Sequence, residues 1–161
     1  MFIYSVRSST LKFFGAVALS LLVLVTLLVC IEPVSIVTGA AGAESIVYTG
    51  ADTREGRIAF LAQYGWEVDP DSESASDFTI PAEFDRVMLG YNALQDTQGL
   101  DLGRYRKKTV TRYTYTVKNY EGYEGTVHAD LIVYRGRVIG GDICSADPSG
   151  FVHGFAKPTA E

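Results

Sequence analysis

Few residues of this sequence belong to the types that carry out chemistry, and those few lie near its C-terminal end. They are Cys144, His128, His153, Asp130 and Asp142. A cysteine beside a histidine can form a thiolate nucleophile, and the backbone N–H groups of Gly140-Gly141 could stabilise an oxyanion. No characteristic spacing links Cys144 to either histidine, and a single cysteine at a strand end usually serves as a small buried side chain. A cell-envelope enzyme that uses Cys144 with His153 or His128 is therefore the alternative hypothesis.

The same residues make a weak case for a metal or a cofactor. A metal site needs three or four converging ligands, and two histidines with Asp130 or Asp142 on separate strands form no such motif. His128 alternates with apolar residues and is expected at the rim of a sheet, whereas His153 is expected to make a capping hydrogen bond where the tail docks. Neither a G-x-G-x-x-G loop nor a P-loop occurs. We predict no metal, no cofactor and no nucleotide.

Tyrosines favour binding over catalysis. The chain contains 10 tyrosines, and several are expected on the sheet, where their amphipathic rings supply contact area for a protein, a peptide or a cell-wall ligand. Packing in the core also explains most of them. The predicted contact residues are Arg112, Tyr113, Lys118, Tyr120, Tyr123, His128 and Tyr134. The leading hypothesis is a non-catalytic binding or accessory module for an envelope partner.

The location of this module is predicted from the uncharged apolar run at residues 13–31. At about 1.5 Å per residue, one helix of this length matches the hydrocarbon core of a bilayer. Arg7 and Lys12 precede the run, whereas the next base after it is Arg54. The positive-inside rule therefore predicts a single-pass membrane protein with residues 1–12 in the cytoplasm and the rest outside the cell membrane.

Two processing alternatives stay open for this run. Ala41-Gly42-Ala43 has the A-x-A form of a cleavage site, so the leader could be removed after Ala43. Cys30 could instead be acylated, although Val29 before it is a poor residue for that reaction. No disulfide is expected between Cys30 in the predicted span and Cys144 far outside it.

The part of the chain beyond the apolar run is acidic. Residues 32–161 carry 12 Lys and Arg against 19 Asp and Glu, whereas nucleic-acid-binding domains are usually basic. We therefore predict no nucleic-acid partner. One local basic cluster, at residues 104–112, is expected to be a solvated loop and strand edge.

A first amphipathic helix is predicted after a flexible spacer at residues 32–51. Asp52 and Glu55 have the spacing of a capping box, and Gly65 can adopt the left-handed conformation that ends a helix. The acidic stretch that follows, residues 69–77, is predicted to be a loop.

A second helix is predicted from Pro81, which suits a first helical turn. Gly99 can end it, with Leu100 folding back in a Schellman motif. The apolar stripe assigned to the core comprises Phe84, Val87, Met88, Tyr91 and Leu94.

The C-terminal half changes to the two-residue period of β-strands. Residues 109–118 and 126–134 alternate in this way, and Arg135-Gly136 predicts a tight turn into a third strand. Gly140-Gly141 predicts a bulge or a close backbone approach there. The predicted fold class is α+β, with two helices packed on an antiparallel meander of three to four strands. The predicted domain spans residues 52–156, and residues 157–161 form a tail.

Seven segments in this order resemble a known family. They are GWEV at 65–68, TIPAEFD at 79–85, YNALQ at 91–95, QGLDLGRY at 98–105, TVTRYTYTVKNY at 109–120, LIVYRGRVIGGDICS at 131–145 and GFVHGF at 150–155. The pattern is similar to an uncharacterised domain-of-unknown-function family of small membrane-anchored extracytoplasmic proteins from Gram-positive, often spore-forming, bacteria. The resemblance implies location and architecture but supplies no catalytic residues. The element order is also similar to PepSY and cystatin-like modules.

Overall fold

The computed structural model describes residues 45–158. Within them the fold is α+β, with two α-helices, one short 3₁₀ helix and a five-stranded antiparallel sheet in the order β1-β2-β3-β4-β5. The elements are α1 (Arg54–Ala62), β1 (Val68–Thr79), α2 (Arg86–Thr97), the 3₁₀ helix (Leu102–Tyr105), β2 (Thr109–Val117), β3 (Val127–Tyr134), β4 (Arg137–Ser145) and β5 (Val152–His153). In this part of the chain, neither α-helix is long and apolar enough to cross a membrane. The span predicted at residues 13–31 lies outside the described residues.

The sheet has five strands, not the predicted three to four, because the acidic stretch predicted to be a loop forms the edge strand β1 and the tail adds the two-residue strand β5 at the other edge. Residues 74–79 of β1 pair in regular register with β2, and a bulge separates them from the pair formed by Asp69 and Thr116. The sequence lacks an apolar alternation here because most β1 side chains face solvent. Two of its acids have local partners, since Asp69 lies 3.6 Å from Lys118 Nζ and Asp77 accepts a hydrogen bond from the Thr111 hydroxyl.

Both helices begin later than predicted. The N-cap of α1 is Thr53, whose hydroxyl accepts a hydrogen bond from the Gly56 N–H, so the capping box assigned to Asp52 is wrong. The N-cap of α2 is Asp85, which accepts from the Met88 N–H, and Pro81 therefore precedes the helix. In both cases a side-chain oxygen satisfies an N–H group that the first turn leaves free.

The predicted helix ends are confirmed. Gly99 has φ +73° after α2, and Gly65 has φ +79° after α1. Leu100 N–H donates to the Gln95 carbonyl and Gly99 N–H donates to the Asp96 carbonyl, which are the two hydrogen bonds of a Schellman motif. The tight turn after β3 is confirmed as well, because Arg135 and Gly136 both have positive φ.

Each face of the sheet carries one helix. Alternate residues of a strand point to opposite faces: Leu131 of β3 is buried with Phe60 of α1, whereas Ile132 is buried in a second cluster against which Met88 of α2 packs. We call these the α1 face and the α2 face. Asp130 shares its face with Ile132 and therefore points to the α2 side. Val87, predicted to be in the core, is 80% exposed, whereas Phe84, Met88 and Tyr91 of the same predicted stripe pack against the α2-face core.

Residues before the predicted domain start also belong to the fold. Ala51 is buried, and Thr49 forms an isolated bridge with Arg137 at the start of β4. The predicted irregularity in β4 is present too. Gly141 has φ +151°, and a Cβ atom there would lie 2.1 Å from the Asp130 carbonyl oxygen. Only glycine fits where β4 approaches β3 this closely.

Candidate functional site

A groove of about 620 Å³ lies between the two ends of the described domain. Its lining comprises Ile46, Tyr48, Tyr64, Thr97, Gln98, His153, Gly154, Ala156 and Pro158. None of these is an Asp, Glu, Lys or Arg. Cavities of this volume accommodate a small organic ligand or a short peptide segment.

The groove wall offers hydrogen-bonding groups at the edge of an apolar surface. The Tyr48 and Tyr64 hydroxyls lie 3.4 Å apart, and burial, with Tyr48 beside it, raises the pKa of Tyr64. The Tyr64 hydroxyl is therefore a neutral donor and acceptor at physiological pH. The Tyr64 ring also packs 5.4 Å from the buried Phe155 ring, which fixes the wall to the core.

An aromatic cluster continues from His153 away from the groove. His153 Nε2 lies 3.1 Å from the Tyr120 hydroxyl, and the Tyr120 ring stacks on Trp66 at an interplanar angle of 3° and on Phe151 at 17°. Tyr123 meets Tyr120 and Phe151 edge-on. The predicted contact residues Tyr120 and Tyr123 thus belong to one surface, which His153 joins to the groove.

The other predicted contact residues do not join them. Tyr113 lies on the α1 face under the Arg57 guanidinium, and Lys118 pairs with Asp69. Tyr134 packs beside Tyr105 against the α2-face core. Arg112 and His128 occupy β2 and β3 positions that point to the α2 face. The structure therefore distributes the seven predicted residues over both faces.

The candidate nucleophile Cys144 is half-buried, and it points to the opposite face of the sheet from His153, which is the register partner of Ile143. Burial, together with the nearby Asp142 and Asp130 charges, raises its pKa to about 12. His128 is its register partner across β3 and β4, but the buried His128 Nδ1 atom has no hydrogen-bond partner among the described residues. The thiol consequently stays protonated at neutral pH, the opposite of an activated thiolate.

Two aspartates face each other beside this thiol. Asp130 and Asp142 are direct register partners on β3 and β4, and Asp142 is 5% exposed. The Tyr91 hydroxyl of α2 donates to Asp142 Oδ1 at 2.6 Å, and the Thr114 hydroxyl donates to Asp130 Oδ1. Sequence analysis named both aspartates but missed Tyr91 as their partner, since a tyrosine at helical spacing is also a normal core residue.

The carboxyl pair does not form a metal centre as it stands. Side-chain atoms of Asp130, Asp142 and Cys144 lie within 4.8 Å of one another. However, one oxygen of each carboxylate already accepts a hydroxyl hydrogen bond, from Tyr91 and from Thr114, and the third group is a protonated thiol rather than a thiolate ligand. We therefore assign no metal ligands and interpret the group as a hydrogen-bonded carboxyl pair.

Two glutamines connect this pair to the groove. Gln95 Oε1 accepts from the Gly141 N–H at 2.8 Å, and Gln98 Nε2 donates to the Gly141 carbonyl at 3.1 Å. Gln98 Oε1 also accepts from the Phe155 N–H. Sequence analysis assigned neither glutamine a role. A pair of glutamines at the end of α2 and a Gly-Gly bulge in β4 are both visible in the sequence. Their contact can be recognised only once the packing of α2 on β4 is known.

Two residues of the basic cluster, Arg104 and Arg106, line a polar hollow together with the acidic Asp101. Arg104 is 81% exposed at its side chain and lies 3.3 Å from Asp101, while the Arg106 guanidinium covers the Phe84 ring. This agrees with the predicted solvated loop.

Comparison with known proteins identifies a family. Residues 60–143, slightly more than half of the chain, match the family model described as "Domain of unknown function (DUF4830)". No curated protein and no solved structure matches the chain. The matched region runs from within α1 to the β4 residues beside the carboxyl pair, and most of the groove lining lies outside it.

Proposed function

Because the chain belongs to the DUF4830 family, whose description names no activity, we propose its function from the groove: a non-catalytic binding module that holds an uncharged, apolar segment of a polypeptide. The observation that carries this proposal is the groove of about 620 Å³ with no Asp, Glu, Lys or Arg in its described lining. A charged ligand would be desolvated there without a counter-charge. An apolar segment gains burial while its backbone meets the hydroxyls of Tyr48 and Tyr64.

The aromatic cluster supports a polypeptide partner. Tyr, Trp and Phe side chains are enriched at protein interfaces, because they bury a large area and lose little conformational entropy. Tyr120, Tyr123 and Phe151 are only partly buried and adjoin the groove through His153, so a segment that leaves the groove meets further rings.

The environment of Cys144 favours binding over the enzyme alternative. A nucleophile needs a thiolate, and burial beside Asp142 and Asp130 raises the pKa of this thiol to about 12. His153, the alternative base, is engaged by Tyr120 and by the Gly154 carbonyl.

The proposal includes a location. The apolar run at residues 13–31 would hold the module at the outer side of the cell membrane of a Gram-positive bacterium, with the N-terminus in the cytoplasm. The partner would then be an envelope protein or peptide.

The test measures binding of capped apolar tetrapeptides to the full chain in detergent micelles, by calorimetry and by NMR of the peptide. We expect Ala156→Trp, which fills the groove from an exposed position, to weaken binding by about tenfold or more. The matched control is Ala93→Trp on the exposed surface of α2, which should leave the affinity unchanged. We also expect peptides carrying Lys or Glu in place of one apolar residue to bind more weakly.

Two results would contradict the proposal. One is equal weakening by Ala156→Trp and Ala93→Trp, since the effect would then not come from the groove. The other is saturable binding of a cell-wall disaccharide but of no peptide, which would assign the groove to a glycan.

A further inference from the structure

The buried carboxyl pair is the feature that the proposed binding function leaves unused. Residues directly opposite on antiparallel strands hold their Cβ atoms about 4.5–5.5 Å apart, and like charges there are destabilising. Asp130 and Asp142 occupy such a position on the α2 face. Asp142 is almost fully buried, so water cannot screen the two charges well.

The groups around the pair do not supply a compensating positive charge. Tyr91 faces it from α2, Thr114 and Arg112 from β2, His128 from β3 and Cys144 from β4. Arg112 is solvent-exposed, and its charge is the weakest of the influences on Asp142. The neutral hydroxyls and the thiol donate hydrogen bonds but cannot cancel a second negative charge.

Protonation of one carboxyl removes the repulsion between the two negative charges. Burial and the neighbouring Asp130 charge raise the pKa of Asp142, and the Tyr91 hydrogen bond only partly opposes them. A group whose pKa is raised in the folded state stabilises that state below its unfolded pKa, and this stabilisation is lost as the pH rises through the folded pKa.

Helix α2 is the element best placed to respond. It covers the pair through Tyr91, and its buried Gln95 Nε2 has no hydrogen-bond partner among the described residues. An unsatisfied buried donor lowers the stability of the docked helix. The C-terminal end of α2 supplies Thr97 and Gln98 to the groove wall, and Gln98 holds the Phe155 N–H beside it.

We propose that α2 is a proton-controlled wall of the groove, docked when the Asp130–Asp142 pair holds one proton and loosened when both carboxyls are ionised. The control of the helix stands on its own contacts, whereas its effect on ligand affinity rests on the proposed binding function. Low pH therefore keeps the groove wall docked, and rising pH loosens it.

The test is hydrogen exchange of the α2 amides in the full chain in micelles, corrected for intrinsic exchange rates, between about pH 4 and pH 8. We expect the protection of α2 to fall as the pH rises, by about tenfold for each unit by which docking raises the carboxyl pKa. Asp142→Asn, which keeps an acceptor for Tyr91 without a charge, should hold α2 protected throughout. Asp71→Asn, at an exposed position of β1, should leave the wild-type profile unchanged.

The proposal is overturned if Asp142→Asn retains the wild-type pH profile, or if the protection of α2 in the wild type does not fall as the pH rises. Should Asp142→Asn not fold, a carbon-13 titration of the wild-type carboxyls decides the matter. An Asp142 pKa at the ordinary value of about 3.9 overturns the proposal, and a raised one supports it.

The apolar tetrapeptide, titrated at both ends of the pH range, separates this inference from the proposed function. If the protection of α2 depends on pH but no peptide binds, the proton control of α2 is supported and the proposed binding function is contradicted. Tighter peptide binding in acid, abolished by Asp142→Asn, would support both.

Discussion

Arg57 is a cation inside the α1-face core, with only 4% of its surface exposed. Its guanidinium donates to the Tyr115 hydroxyl, to the Ala51 and Asp52 carbonyls and to Glu73 at 2.9 Å. Burial alone would raise the pKa of Glu73, but hydrogen bonds from Tyr115 and Arg57 outweigh it and lower that pKa. This contribution to stability is present above the unfolded carboxyl pKa and is lost as the pH falls.

We predict that Arg57→Met lowers the free energy of unfolding by about 3–5 kcal/mol, because it leaves Glu73 without its buried partner. Denaturant unfolding at neutral pH measures the loss. Between neutral and acidic pH, the free energy of unfolding should also fall less in the variant than in the wild type. The control is Arg54→Met, since Arg54 contacts the same carboxylate at 3.5 Å from a side chain that is 48% exposed; we expect at most about 1 kcal/mol from it. Equal losses from both variants would contradict the buried-pair interpretation.

At Cys144 the prediction concerns reactivity. With a pKa of about 12 for the folded thiol, the thiolate fraction near neutral pH is far below that of a free cysteine, whose pKa is about 8.5. In the Cys30→Ser background, we predict that folding slows alkylation of Cys144 by at least about a hundredfold. Comparing the rate in buffer with the rate in urea tests this. A folded rate equal to or above the unfolded one would restore the enzyme alternative.

Among the elements, β1 depends on contacts that are distant in sequence. Where β1 bulges, the Ser72 hydroxyl accepts from the Thr116 N–H of β2 at 2.8 Å. Ser72→Ala leaves that N–H unsatisfied, so we predict a loss of about 1–3 kcal/mol in the free energy of unfolding. The matched control is Ser76→Ala in the same strand, an exposed residue that should change stability by less than about 0.5 kcal/mol. If Ser76→Ala costs as much as Ser72→Ala, the bulge contact is not the cause.

The parts of the fold that can be predicted from the sequence are those held by interactions between residues close together in the chain. The ends of both helices and the Arg135-Gly136 turn were predictable, because a glycine with positive φ acts within a few residues. The strand at residues 68–79 was not, since nothing local favours a strand with few apolar residues. Its pairing comes from β2, some forty residues away by register. Its acids also have distant partners: Lys118 and Arg57 form ion pairs with two of them, and the Thr111 hydroxyl donates a hydrogen bond to a third.

At the scale of the whole molecule, the candidate site is assembled from both ends of the domain. Ile46 and Tyr48 come from its start, Ala156 and Pro158 from its end, and α2 contributes Gln98. No sequence motif encodes such a convergence, so the sequence predicted a binding role and the tyrosine-rich surface but not the groove. The carboxyl pair was predicted only as two separate aspartates, because register decides which residues of β3 and β4 lie opposite each other.

The predicted arrangement across the membrane can be tested with the exposed positions that the structure identifies. In a Cys30→Ser, Cys144→Ser background, we predict that Asp71→Cys, exposed in β1, reacts with a membrane-impermeant maleimide in intact cells. Ser8→Cys, in the predicted cytoplasmic segment, should react only after permeabilisation. The physical reason is the bias of Arg7 and Lys12 on one side of the apolar run at residues 13–31. Labelling of Ser8→Cys but not Asp71→Cys in intact cells would reverse the orientation. It would also contradict an envelope partner in the proposed function. Release of a labelled Asp71→Cys fragment into the medium would favour cleavage after Ala43 over a permanent anchor.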